Sequence, residues 1–152
     1  MSRAFVKEQD GVDELPERLI SEHPNLVTEA GYKQIEAEVA RFDSAHAAAQ
    51  VAGDREAMAT TARDLRYWSA RLASAELVPP PADTAQVQFG STVTIAREDG
   101  RTQTYRIVGE DEADPAKGSV SYVSPLARQL VGKAAGDTVR VAGMEAEITA
   151  IA

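Results

Sequence analysis

The chain has 152 residues, a formal net charge of -8 and no cysteine. Its length allows one ordinary domain or a small domain with an appendage, and the missing cysteines exclude disulfides and thiolate metal sites. The acidic balance disfavours strong, independent binding to DNA. No apolar run is long enough to span a bilayer and the start lacks the apolar centre of a secretory signal, so we expect a cytoplasmic protein without membrane contact.

The first 26 residues are acidic and are interrupted by Pro16 and Pro24. They show little sustained periodicity. A segment of this composition predicts a partly disordered tail over residues 1–26.

Residues 27–78 show a different pattern, in which apolar and small side chains recur at alternating intervals of three and four positions. The two seams are Tyr32, Ile35, Val39, Phe42, His46 and Ala49, and Met58, Thr61, Leu65, Trp68, Leu72 and Ala75. Between them, Gly53 can end one helix and Asp54 can cap the next, while Thr28 can cap the first. The pattern predicts an antiparallel coiled-coil hairpin with arms of about 24 residues, or about 36 Å.

Residues 79–86 begin with three prolines and predict a stiff linker. Residues 87–152 then alternate in strand fashion around a D-G turn at positions 99 and 100. One short helix interrupts the strands: Ser124 is placed as its N-cap, Pro125 as its first residue, and Gly132 follows its last turn. This predicts a small antiparallel β-sheet with one short helix, and an α+β fold for the chain.

The motifs of the C-terminal half occur in a distinctive order: F-G-S-T-V-T-I, Y-R-I-V-G-E-D-E-A-D, S-P-L-A-R-Q-L-V-G-K and G-D-T-V-R-V. Together they resemble the bacterial GreA/GreB transcription elongation factor family. The stretch L-V-T-E-A-G-Y resembles the family's helix start, and Gly53-Asp54 falls at its hairpin tip. The resemblance covers about residues 26–152.

The resemblance implies an FKBP-like C-terminal domain and RNA polymerase as the partner. In this family the globular domain docks at the rim of the polymerase secondary channel and the coiled coil enters the channel. Tip carboxylates, here Asp54 and Glu56, would then help hold a Mg²⁺ ion of the polymerase active site near the transcript 3′ end. The protein would be a cofactor of the polymerase's own cleavage reaction, not an enzyme, with no stably bound cofactor. Hard oxygen ligands of this kind suit Mg²⁺.

The tip departs from the family pattern, in which the second acid follows the Asp by three residues. Here Glu56 follows Asp54 by two, Ala57 holds the third position, and Arg55 adds a positive charge. Residues two apart on a helix diverge by about 200° and do not share a face. The arms are also about two turns shorter than in the cleavage factors, or about 11 Å less reach. Ordinary helix capping by Asp54 and a first-turn role for Glu56 stay open beside the metal role.

The resemblance also places partner-contacting residues on the globular domain: Ser124, Pro125 and Leu126 at the Ser-Pro corner, with Asp111 and Glu112 in an acidic loop. The corner could equally serve only as a helix start, and the acids only as solvated surface. The basic residues of the hairpin are interspersed with acids, which is more typical of a solvated mixed-charge face than of an RNA track.

Three alternatives remain for the function. A shortened stalk could occupy the channel without stimulating cleavage, and so inhibit transcription or exclude other factors. The FKBP-like shape raises a peptidyl-prolyl isomerase, although few aromatic residues are available to line its pocket. The third is a protein adaptor that does not bind polymerase.

Overall fold

The computed structural model describes residues 15–152, in which the chain divides into two compact units. One contains Ile35–Ala73 together with the described residues 15–21, and the other contains Glu22–Gln34 and Ser74–Ala152. The first half of the predicted tail, residues 1–14, lies outside the described residues.

The first unit is built on a helical hairpin. Helix α1 spans Glu29–Ala52 and helix α2 spans Arg55–Ser74, so the arms have 24 and 20 residues. The two seams meet as predicted: His46 Nδ1 and Thr61 Oγ1 are 3.0 Å apart across the hairpin. Ile35, Ala49 and Trp68 are its buried hydrophobic side chains between Ile35 and Ala73. The predicted hairpin is therefore confirmed, although its second helix ends at Ser74, four residues before the predicted boundary at residue 78.

Residues 15–21 contain no helix or strand, but they contact α2 through side chains. Arg18 Nη1 lies 3.3 Å from Asp64 Oδ1, and Arg66 Nε donates to Glu17 Oε1 at 2.8 Å. Residues 15–21 of the predicted tail are thus attached to the hairpin by specific contacts, whereas residues 22–26 belong to the second unit.

The second unit begins with two very short parallel strands, β1 (Leu26–Val27) and β2 (Glu76–Leu77). Asn25 is buried beside them, and its side-chain amide donates to Ser74 Oγ. Sequence analysis assigned residues 76 and 77 to the second helix. They are instead extended, because β1 supplies backbone partners for them as soon as α2 has ended.

A five-stranded sheet forms the body of the second unit, in the order β5-β4-β3-β7-β6. The strands are β3 (Thr92–Arg97), β4 (Thr102–Val108), β5 (Ser119–Ser121), β6 (Thr138–Val141) and β7 (Met144–Ile151). Helix α3 (Pro125–Leu130) packs on the sheet through Ala127 and Leu130, which lie in the same core as Val93, Ile95, Ile107 and Ile148. The α+β class and the single short helix are confirmed.

The sheet is mixed, which corrects the prediction of an antiparallel sheet. Strand β5 pairs with β4 in parallel register, Ile107 opposite Val120. The connection between these strands contains a 3₁₀ turn at Pro115–Lys117 and returns the chain to the same end of the sheet, where Gly118 turns it with φ of 87°. A crossover of this kind, unlike a tight hairpin turn, leaves the next strand parallel.

The stretch 87–89, expected to be a strand, is not one. Val87 is fully buried, but its backbone N–H donates to Lys133 O and its carbonyl accepts from Gly132 N–H. These bonds hold residue 87 against the end of α3 instead of in the sheet. None of the helices within residues 15–152 is long and apolar enough to cross a membrane.

Candidate functional site

The tip of the hairpin is formed by local chemistry. Gly53 adopts φ of 65°, a left-handed conformation that glycine accepts without a Cβ clash, and this ends α1. Asp54 then caps α2, because its Oδ1 accepts from the N–H of Ala57 at 3.1 Å and its carbonyl accepts from Met58 N–H at 2.9 Å. The predicted capping role of Asp54 is confirmed.

The two tip carboxylates do not share a helix face. Helix α2 begins at Arg55, so Glu56 lies in its first turn whereas Asp54 precedes the helix as its N-cap. One Asp54 oxygen is already used in capping. Across residues 15–152, no group of three or more His, Asp or Glu side chains is arranged to hold a metal ion. The described residues therefore form no preassembled metal site at the tip, and the metal role of Asp54 and Glu56, shared with a polymerase, stays a prediction.

Both tip acids are exposed, as are Arg55 and Val51, the latter with 91 % of its surface accessible. The tip therefore presents a mixed surface: one apolar side chain, one cation and two carboxylates. Such a surface can contact a partner, but it does not form a preassembled metal site.

The Ser-Pro corner lies on the second unit at the start of α3. Ser124 Oγ accepts from Ala127 N–H at 3.2 Å, which confirms the predicted N-cap, and Pro125 is exposed as the first helical residue. Leu126 is half-buried and packs against the hydrophobic core. The core thus holds the corner rigidly while Pro125 and part of Leu126 remain accessible.

A groove of about 720 Å³ opens beside this corner. One wall is α3 with Ser124, Pro125, Leu126 and Gln129; the other is the β6–β7 turn with Arg140–Gly143; Val120 lies between them. The turn wall was missed by sequence analysis. Its signal is the A-G pair between two alternating runs, since Ala142 and Gly143 both have positive φ, as two-residue hairpin turns require.

The acidic loop behaves differently from the corner. Glu112 is half-buried, and its Oε2 accepts from the Thr28 hydroxyl at 2.6 Å. Thr28 Oγ1 in turn accepts from Gly31 N–H at 3.0 Å, which confirms the predicted cap of α1. Glu112 therefore has an internal structural partner at the start of α1. Its predicted contact with a polymerase, like that of Asp111, stays a prediction.

Comparison with known proteins defines the class. The family model described as "Transcription elongation factor, GreA/GreB, C-term" matches residues 82–152, which include the sheet, α3 and the groove. The C-terminal part of the second unit therefore matches the C-terminal region that this family model describes.

Full-length relatives extend the match to the hairpin. A GreA from Paracoccus denitrificans is 34% identical over 134 residues, covering 76% of this chain and 86% of that protein. A GreA from Desulfovibrio desulfuricans is 36% identical over 132 residues, covering 73% and 80%. The chain belongs to the GreA/GreB family.

Other relatives match only one half. A GreB from Neisseria meningitidis is 47% identical over 79 residues, and the chain spans about half of that protein's length, 48%. The solved structure of GreA factor homolog 1 (Gfh1) from Thermus thermophilus is 17% identical and covers 86% of this chain and 99% of its own, with a TM-score of 0.41. A score this low supports no inference about function.

Proposed function

We propose that this protein is a GreA/GreB-type transcription elongation factor that binds RNA polymerase at its secondary channel and regulates elongation. The observation that carries the proposal is the Ser-Pro corner at the edge of a large groove, within residues 82–152, which match the family model. The protein supplies no catalytic centre of its own and at most assists the polymerase's cleavage of a backtracked transcript. The proposal implies a bacterial cytoplasmic location.

The groove is the polymerase-binding surface in this proposal. Its apolar wall at Pro125 and Leu126 offers area that gains from leaving water, and Arg140 adds one cation that favours an acidic or neutral-polar partner surface. Charge reversal at Arg140 should therefore weaken binding. Reversing Arg128, an exposed cation of α3 outside the groove, changes the net charge equally and should not.

The test is a binding titration of labelled protein with bacterial RNA polymerase. We expect Arg140→Glu and Pro125→Asp each to weaken binding by roughly tenfold or more, and Arg128→Glu to change it by less than about twofold. Equal loss in the Arg140→Glu and Arg128→Glu variants would assign the effect to overall charge and reject the groove. A wild-type protein that does not bind polymerase would favour the adaptor alternative.

The tip residues distinguish two modes of regulation: stimulation of transcript cleavage, and occupancy of the channel without cleavage. The spacing of two residues between Asp54 and Glu56, instead of three, favours occupancy of the channel without efficient stimulation of cleavage. The measurement is transcript shortening in stalled, backtracked complexes supplied with Mg²⁺. Asp54→Asn separates the roles, because asparagine caps a helix as well as aspartate but lacks the charge. If binding is intact and Asp54→Asn abolishes observed shortening, the carboxylate participates in cleavage.

The offset itself can be corrected by one substitution. Ala57→Glu places an acid three residues after Asp54, where i and i+3 side chains lie close on a helix. If the offset limits cleavage, Ala57→Glu should increase shortening in the same assay, and Ala57→Gln should not. No increase in Ala57→Glu, with polymerase binding retained, would show that tip spacing is not what limits the activity.

A further inference from the structure

The described residues 15–21, called the strap below, lie along helix α2 within the first unit. The Arg18 guanidinium stacks on Tyr67, with Cζ 3.8 Å from the ring centroid, and also approaches Trp68 at 5.6 Å. Its Nη1 lies 3.3 Å from Asp64 Oδ1. Arg18 is therefore the principal anchor of the strap, held by one ion pair and by stacking on an aromatic ring.

Asp64 depends on this anchor. Only 8% of its surface is exposed, and a carboxylate this deep is costly unless cations and hydrogen-bond donors compensate it. The two cations that approach its Oδ1 are Arg63, from the same helix, and Arg18, from the strap. The strap thus supplies a large share of the positive charge that makes this buried acid tolerable.

The hairpin has little hydrophobic area to compensate for losing such contacts. Its buried hydrophobic side chains between Ile35 and Ala73 are Ile35, Ala49 and Trp68, and the tip half of α1 is rich in alanine. A small core of this kind gives the hairpin a low local stability, so contacts along its side contribute a large fraction of the total.

A second ion pair holds the strap at a more exposed position. Arg66 Nε donates to Glu17 Oε1 at 2.8 Å, while both side chains remain more than half exposed. Leu19, one residue beyond the anchor, is 95% exposed and contributes no packing. The strap is therefore attached mainly by charge and stacking, with Leu15 half-buried, and salt weakens most strongly its exposed contact between Glu17 and Arg66.

We propose that the strap is a releasable latch, a segment that binds reversibly to the side of the hairpin. It is bound to α2 (the latch is closed) at low ionic strength, and it dissociates from α2 (the latch opens) as salt screens its charge contacts, which exposes the Trp68 side of α2. Arg18 is the strap residue that binds, and Asp64 is the residue of α2 that it binds. This proposal concerns the hairpin alone and does not depend on polymerase binding.

The Arg18 side chain can report on the latch directly. Trypsin cleaves after arginine only when the guanidinium enters the protease's own pocket, so cleavage after Arg18 requires the latch to be open. When opening and closing are fast, the cleavage rate follows the open population. A synthetic peptide with the sequence of residues 12–25 has no α2 to bind and corrects for the effect of salt on trypsin itself.

The experiment compares the full-length wild type with Asp64→Asn, and uses Asp43→Asn, an exposed acid of α1, as the matched control. We expect cleavage after Arg18 to be about fivefold faster in Asp64→Asn, equivalent to about 1 kcal/mol, and unchanged in Asp43→Asn. In the wild type, raising NaCl from about 0.05 to about 0.5 M should accelerate this cleavage at least roughly threefold relative to the peptide.

Far-UV circular dichroism, recorded on each sample, must show the helices intact. If Asp64→Asn loses helix, the wild-type salt titration alone decides. The proposal is overturned if Asp64→Asn and Asp43→Asn are cleaved at the same rate while both are folded. It is also overturned if salt affects the wild type and the peptide equally.

Discussion

Replacing Gly31 with alanine tests the contact between the acidic loop and the start of α1. Gly31 is the third residue of α1, and a Cβ at this position would lie 2.6 Å from Glu112 Oε2, closer than real Cβ atoms approach an oxygen. Glu112 Oε2 ends a flexible side chain and can move away, but this movement weakens the 2.6 Å hydrogen bond that it accepts from Thr28. The substitution therefore exchanges a hydrogen bond to a carboxylate for a better helix residue.

The two contributions have opposite signs and similar sizes. Alanine is favoured over glycine inside a helix by about 1 kcal/mol. A hydrogen bond to a charged group contributes about 1.5–3 kcal/mol, and the lower value applies because Glu112 is partly exposed. Gly31→Ala should therefore lower the free energy of unfolding by about 0.5 kcal/mol. In a Glu112→Ala background no collision remains, and Gly31→Ala should raise it by about 1 kcal/mol.

Urea unfolding and calorimetry of the four proteins in this cycle measure the sign reversal. For a chain of this length, 1 kcal/mol corresponds to about 2–4 °C in melting temperature. Glu112→Gln is the control, since it keeps the size of the side chain but makes the hydrogen bond neutral and worth only about 0.5–1.5 kcal/mol, so Gly31→Ala should be nearly neutral in this background. If Gly31→Ala stabilises the protein with Glu112 present, the carboxylate is not held at the helix start.

Three further predictions concern other parts of the chain. Asp54→Ala should lower the free energy of unfolding of the hairpin by about 1 kcal/mol, because alanine cannot accept a hydrogen bond from the Ala57 N–H. Asp54→Asn should leave it nearly unchanged, since asparagine can accept this bond. Thermal unfolding followed by circular dichroism distinguishes the two variants. The hydrogen bond from Arg66 holds the pKa of Glu17 below its ordinary value of 4.5. The Glu17 carboxylate therefore stabilises the strap fully above pH 4.5, and this stabilisation is lost as the pH falls through the lower pKa of the folded protein. Acrylamide quenching of the single tryptophan should rise over that pH range, and Glu17→Gln should abolish the transition. Ala142→Gly should raise the free energy of unfolding by about 0.5 kcal/mol, and the melting temperature with it, because φ of 52° strains alanine but not glycine. An unchanged or lower melting temperature would contradict a strained turn.

The proposed site illustrates how far the sequence alone could lead. The cap at Ser124 and the tip at Gly53-Asp54 depend on side chains that hydrogen-bond to backbone groups three residues away, so short motifs predict them. The groove could not be predicted in the same way. Its second wall, around Arg140, reaches α3 only because the sheet brings the β6–β7 turn beside it.

The sequence by itself determined the helical hairpin, its turn, the capped short helix and most strands of the C-terminal half, and through its motifs the family. These features follow from periodicity and from contacts between residues close in the chain. Only the tertiary structure decided that β5 runs parallel to β4, that Arg18 anchors to Asp64, and that Glu112 accepts from Thr28, 84 positions away. A charged side chain or an extended segment can pair equally well with many different partners. Which partner it takes depends on the distant backbone segment or charged side chain that the fold brings within reach.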